Sequence, residues 1–143
     1  MEKMTIEESI IENGYYAATV KGDSMMPLLR QNIDIVKIVK ADEIKENDIL
    51  LYKRPTGEYV LHRIIKIDDD CYVTCGDNRF QKENVPKSWE VGIAGSIFRG
   101  EEEIDLTDLR YEKYVQRIRK TYWYRRIKHK IKRIFSSKNS YKK

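Results

Sequence analysis

The chain has 143 residues, 36% of them charged and 41% hydrophobic, and a formal net charge of +5. With no repeat in view, this describes one soluble domain plus appendages, long enough to bury a modest core. No uncharged stretch exceeds about eight residues. A spanning helix needs about 20 apolar residues and a secretory signal about 7–15, so the sequence predicts neither and points to a cytoplasmic protein.

Thr5 followed by Glu8 has the spacing of a capping box, and Ile6, Ile10 and Ile11 share a helical face, so a short helix ends near Gly14. Tyr15–Lys21 reads as a strand and Met25–Arg30 as a turn or short helix. Ile33–Val39 and Asp48–Lys53 read as further strands. Arg54-Pro55-Thr56-Gly57 is turn chemistry between Asp48–Lys53 and the strand Glu58–Ile67, making a hairpin. Asp68-Asp69-Asp70 is the tip of the next turn, before Cys71–Cys75 returns; Val91–Arg99 is a last strand. Short strands at this spacing predict a mostly β, partly open barrel-like domain. The expected segments are a helix over 1–14, a β domain over 15–105 and a basic helical tail over 106–143.

Cys71 and Cys75 on one strand lie roughly 13 Å apart at about 3.3 Å per residue, beyond the reach of a disulfide. No further Cys and no nearby His completes a metal site. Free core thiols are the favoured reading, and no cofactor or metal is expected.

Three stretches carry chemistry. Gly22-Asp23-Ser24-Met25-Met26-Pro27 puts a serine at a strand-to-turn corner, where Gly22 permits a positive φ and Pro27 fixes the exit. Leu61-His62-Arg63-Ile64 places one of only two histidines on a strand. An imidazole of ordinary pKa about 6.5 suits proton transfer at neutral pH, and a nucleophilic serine needs such a base. Cys75-Gly76-Asp77-Asn78 is the third stretch. Arg54 and Arg63 stay protonated and cannot be the base, and Lys53 at a strand end reads as solvated.

In this order, and with Glu46-Asn47-Asp48-Ile49-Leu50 as a fourth box, these stretches resemble the serine peptidases of the signal peptidase I and LexA superfamily over about Tyr16 to Arg99. Most members carry lysine at the base position; histidine there resembles the endoplasmic-reticulum, archaeal and some Gram-positive signal peptidases. The resemblance implies Ser24 as nucleophile, His62 as general base and Asp77 as the acid orienting the imidazole. It also implies the Ser24 N–H as an oxyanion donor, and Met25, Met26 and Pro27 along a groove that binds substrate as an added strand. That branch often carries a further Asp about six residues after Asp77; Glu83 stands there, its role open.

The tail is the second informative part. Residues 1–109 hold 14 Lys/Arg against 22 Asp/Glu, whereas 110–143 hold 14 against one acid, Glu112. Leu106–Phe135 lacks Pro and Gly and would span about 45 Å as one helix. Tyr111, Tyr114, Val115, Ile118 and Tyr122 fall on one face; Trp123, Ile127, Ile131, Ile134 and Phe135 fall nearly opposite. The first face is expected to dock on the β body. The second, backed by Arg125, Arg126, His129, Lys132 and Arg133, reads as an anchor for an anionic membrane surface. A nucleic-acid partner and a solvated helix are the weaker alternatives.

The expected function is thus a serine endopeptidase of signal peptidase type, cleaving an extended leader- or signal-like peptide through an acyl-enzyme on Ser24. One rival is a LexA-like self-cleaving regulator, which the lack of a helix-turn-helix before Ser24 disfavours. The other is a non-catalytic module that presents its basic tail.

Overall fold

The structure is a computed structural model and describes residues 3–140; residues 1–2 and 141–143 of the two expected end segments lie outside them. Helix α1 (Ile6–Asn13) starts where Thr5 Oγ1 accepts from the Glu8 N–H and the Glu8 carboxylate accepts from the Thr5 N–H, the capping box its sequence spells. It ends at Gly14 and buries Ile10.

Eight strands follow: β1 (Tyr16–Thr19), β2 (Ile35–Val39), β3 (Ile49–Lys53), β4 (Tyr59–Ile67), β5 (Cys71–Cys75), β6 (Glu83–Pro86), β7 (Glu90–Arg99) and β8 (Glu102–Ile104). All pair antiparallel in one open sheet of order β1-β2-β7-β3-β4-β5-β6, with β8 folded back on β7. The mostly β, unclosed barrel-like domain expected from strand spacing is therefore present. Strands β6 and β8 were not anticipated: Glu83–Pro86 includes a proline and Glu102–Ile104 is largely charged, so neither shows apolar alternation.

The sheet is covered on both faces, which is why Ile49, Leu50, Leu51 and Tyr52 of β3 are all buried rather than alternating. Ile49 and Leu51 enter a core with Ile10, Met25, Leu29, Val36, Ile38 and Ile97. Leu50 and Tyr52 enter a second core with Ile64, Tyr72 and Val85. Each large apolar side chain so buried contributes about 1.5–3 kcal/mol. Strand β4 divides in the same way: Tyr59 and Leu61 pack toward the first core, Val60 and Ile64 toward the second. His62 and Arg63, as neighbours on a strand, point to opposite faces.

The expected single tail helix is broken in two. Helix α2 (Leu109–Lys120), capped by Asp108, ends at Thr121, and α3 (Tyr122–Ser140) begins immediately. The Thr121 hydroxyl donates to the Arg117 carbonyl at 2.7 Å, and Arg125 donates to the Ile118 carbonyl at 2.8 Å. Carbonyls at the end of α2 are thus satisfied by side chains instead of by continued helix. Helix α2 docks as its face predicted: Val115 is buried and Tyr111 and Tyr114 pack on the first core. The stripe on α3 faces solvent, with Trp123 62%, Ile127 54%, Ile131 48% and Phe135 63% exposed. No helix among the described residues is long and apolar enough to cross a membrane. Cys71 and Cys75 are free thiols, and no metal-binding cluster occurs among the described residues.

Candidate active site

Ser24 sits in the turn after β1. Gly22 reaches it through φ +79°, the conformation its sequence position called for. Two backbone bonds shape the turn, from the Met26 N–H to the Asp23 carbonyl (3.2 Å) and from the Leu29 N–H to the Met25 carbonyl (2.9 Å). Gly76 to Arg79 are laced onto it. The Asn78 N–H donates to the Ser24 carbonyl at 2.9 Å, the Asn78 amide to the Asp23 carbonyl at 3.2 Å, and the Arg79 guanidinium pairs with the Asp23 carboxylate. The pairing with Arg79 holds the Asp23 carboxyl below its usual range. Neither the hydroxyl nor the backbone N–H of Ser24 has a hydrogen-bond partner among the described residues, which leaves one free to attack and the other to receive an oxyanion.

His62 faces this turn from β4. A cleft of about 210 Å³ is lined by both Ser24 and His62, together with Val20, Lys21 and the Tyr59–Leu61 stretch. Gly76 is what lets them approach. A methyl at position 76 would lie 2.7 Å from the Ser24 carbonyl oxygen and 3.3 Å from His62 Cδ2. The ring therefore turns Cδ2 toward Gly76, and its Nδ1 edge elsewhere.

That other edge meets Tyr52. The Tyr52 hydroxyl lies 3.5 Å from His62 Nδ1, the outer limit of a hydrogen bond, and donates to Glu83 Oε1 at 2.6 Å. A phenol has one proton. With it on Glu83, the Tyr52 oxygen can only accept from His62, so the proton is assigned to Nδ1 and the lone pair to Nε2, the tautomer a base facing Ser24 needs. Glu83 is itself clamped by Arg54 at 2.8 and 3.1 Å, which holds its carboxyl below the ordinary range. Burial lowers the His62 pKa, keeping the imidazole neutral.

Asp77 is differently engaged from what the resemblance implied. Its fully buried carboxylate makes a bidentate pair with Arg63 (2.8 and 2.9 Å) and accepts from the Tyr114 hydroxyl at 2.8 Å. No hydrogen bond joins it to His62. Arg63 points to the face opposite His62, and Asp77 follows Arg63, so this carboxylate locks the turn to α2 instead of orienting the base. Arg63 also donates to the Asn47 carbonyl and the Tyr111 hydroxyl, giving a saturated buried network.

The expected groove residues separate in the same way. Met25 is 1% exposed, its sulfur 3.5 Å from the Asp77 N–H, so it is core and cannot line a groove. Met26 is half-buried, and Pro27 lies at a hollow beside Arg99 and Tyr114 rather than in the Ser24 cleft. The groove comes instead from a sheet edge. Strand β4 pairs with β5 only from Arg63 onward, leaving the outer edge of Tyr59–His62 open beside Ser24. Such an edge accepts an extended peptide as a further strand.

Sequence reasoning missed Tyr52 and the Arg63–Asp77–Tyr114 lock. The one available signal was that Tyr52, two residues from Leu50 on β3, shares a face with His62 once the hairpin register pairs Leu50 with His62.

Compared with known families, residues 1–98 match the family described as Peptidase S24-like. No curated protein and no solved structure matches the chain.

Proposed function

Because the chain belongs to the Peptidase S24-like family, a family of serine peptidases and LexA-like self-cleaving proteins, we propose that it is a signal-peptidase-type endopeptidase acting through a Ser24–His62 dyad. The observation that carries this reading is the cleft in which the unbonded Ser24 hydroxyl, the neutral His62 and the open edge of β4 meet. The substrate is an extended, leader- or signal-like peptide laid along Tyr59–His62.

In the proposed reaction Ser24 Oγ attacks the scissile carbonyl carbon while His62 Nε2 takes the hydroxyl proton. The oxyanion is received by the Ser24 N–H. The imidazolium then protonates the departing amine as the C–N bond breaks, leaving an acyl-ester on Ser24. Water, deprotonated by His62, attacks the ester, and the proton returns to Ser24 as the carboxylic product leaves. The Tyr52 oxygen and the Glu83 carboxylate behind it stabilise the transient charge on the ring.

A serine-directed acylating inhibitor, read by mass spectrometry, tests this. One adduct on Ser24 is expected, absent in Ser24→Ala and strongly slowed in His62→Ala; an unlabelled wild type refutes the dyad. Intact mass after prolonged incubation at alkaline pH separates cleavage of other chains from self-cleavage, which predicts two fragments. The described residues before Ser24 lie in α1, β1 and their connections, with Ile10 buried, and this favours action on a separate peptide.

We further propose that α3 rests on an anionic membrane surface. Its exposed Trp123, Ile127, Ile131 and Phe135 lie on one side, Arg126, Lys130 and Arg133 border them, and no acid interrupts the helix. Burial at about 1.5–3 kcal/mol per large side chain, reduced for partial insertion, suffices for reversible binding. Ile127→Glu with Ile131→Glu should abolish co-sedimentation with phosphatidylserine vesicles; unchanged binding refutes the anchor. Point variants are preferable to truncation because Arg125 of the same helix holds the Arg79 carbonyl at 2.9 Å.

A further inference from the structure

On its side toward the body, α3 forms a cleft of about 500 Å³ against the turn Asn78–Gln81. Its charged lining is Arg79, Arg125, Lys128 and Lys132, and no carboxylate lines it. Among the described residues only Arg79 of these has an acidic partner, Asp23. Arg125 Nε donates to the Arg79 carbonyl and Nη1 to the Ile118 carbonyl and the Thr121 hydroxyl, neutral acceptors that leave the charge uncompensated. Lys128 and Lys132 have no acidic partner among the described residues. His129 packs against Phe80 with the rings tilted by 41° and their centroids 4.7 Å apart, and closes one wall.

This positive charge is concentrated beside the acid-rich body, and it is connected to the reaction centre. Arg79 and Gln81 also line a hollow of about 310 Å³ with Arg54, His62, Lys82 and Glu83, whose carboxylate is held by Arg54, and Arg54 and His62 in turn line the Ser24 cleft. A chain leaving the β4 edge past His62 thus meets Arg79 and then Lys128 and Lys132. We propose that this cleft is a second peptide subsite, selecting substrates that carry a cluster of Asp or Glu residues near the scissile bond. The inference rests on the peptidase reading for its purpose, but not for its measurement.

The cleft fits carboxylates for a physical reason. Unpaired cations flanking a concave wall raise the local potential, attract acidic segments and lose that attraction with salt. A planar, partly screened guanidinium at Arg79 and two mobile ammonium groups suit several carboxylates on a flexible chain better than one fixed anion.

The test uses the full chain carrying Ser24→Ala and fluorescein-labelled peptides that share one extended central segment. The flanking cluster is four Glu on the N-terminal side, four Glu on the C-terminal side, or four Gln. Anisotropy is expected to show one Glu peptide binding about tenfold tighter than the Gln peptide at low salt, with the preference fading as salt rises. Lys128→Glu with Lys132→Glu should collapse that preference, and Lys128→Arg with Lys132→Arg should retain it. Equal binding of all three peptides, or a preference that survives charge reversal, overturns the subsite. So does a result in which charge reversal removes only phosphatidylserine-vesicle or single-stranded-DNA binding. Acylation of wild-type Ser24 is read in parallel. Labelling without acidic preference sinks the subsite alone, and acidic preference without labelling sinks the peptidase reading alone.

Discussion

Gly76→Ala is the sharpest perturbation of the proposed centre, because one methyl would enter the gap between nucleophile turn and base. The new Cβ would stand 2.7 Å from the Ser24 carbonyl oxygen, where ordinary contact begins at 3.4 Å. It would also press on the His62 ring at 3.3 Å. The oxygen belongs to the backbone of the serine turn and already accepts from the Asn78 N–H at 2.9 Å, so it cannot swing aside alone. The turn must retreat by about 0.7 Å, carrying Ser24 from His62. Overpacking of this kind costs about 1–3 kcal/mol of stability, while a misplacement approaching 1 Å costs about 10²-fold in rate. Urea unfolding gives the first number, and the rate of Ser24 acylation, measured where the variant is fully folded, gives the second. A folded variant that acylates at the wild-type rate would show that the approach at Gly76 does not set the dyad geometry.

Asp77→Asn should act on folding first. It strips the charge opposing a guanidinium that is 1% exposed, and breaking a buried pair costs about 3–5 kcal/mol; a lowered activity with an unchanged urea midpoint would return Asp77 to a chemical role. The acylation rate should rise with pH as neutral His62 forms, with its inflection below about 6.5, the unperturbed value, because burial lowers the folded pKa. The same shift destabilises the fold as pH falls below the unfolded value, where the unfolded state takes up a proton that the buried ring resists; an inflection above 6.5 contradicts a desolvated base. Tyr52→Phe should slow acylation about fivefold, the worth of a roughly 1 kcal/mol hydrogen bond, and move that inflection. Rate and inflection both unchanged would uncouple the phenol from the imidazole.

What the sequence determined by itself was everything governed by neighbours along the chain. Thr5, Glu8 and Gly14 bound α1 because a capping box and a left-handed C-cap need only nine or so residues of context. Short apolar runs between turn signals located six of the eight strands, and the order of the Ser24, His62 and Asp77 stretches announced the family. The tail's two faces were legible from helical periodicity, one docking and one exposed.

Tertiary structure decided which polar group meets which. The residues His62 and Arg63 are adjacent in sequence but lie on opposite faces of β4, and only the packing of the Gly76 to Arg79 turn and of α2 shows that Asp77 belongs with Arg63. Glu83 meets Tyr52 across 31 positions and Tyr114 meets Asp77 across 37, separations at which periodicity carries no signal. Met25 carries the same lesson, since its place in the motif resembles a groove residue while the turn's curvature puts its sulfur in the core. The helix break at Thr121 depends on one hydroxyl and on Arg125 folding back onto Ile118, a competition between side-chain and backbone hydrogen bonds that helix propensity does not resolve.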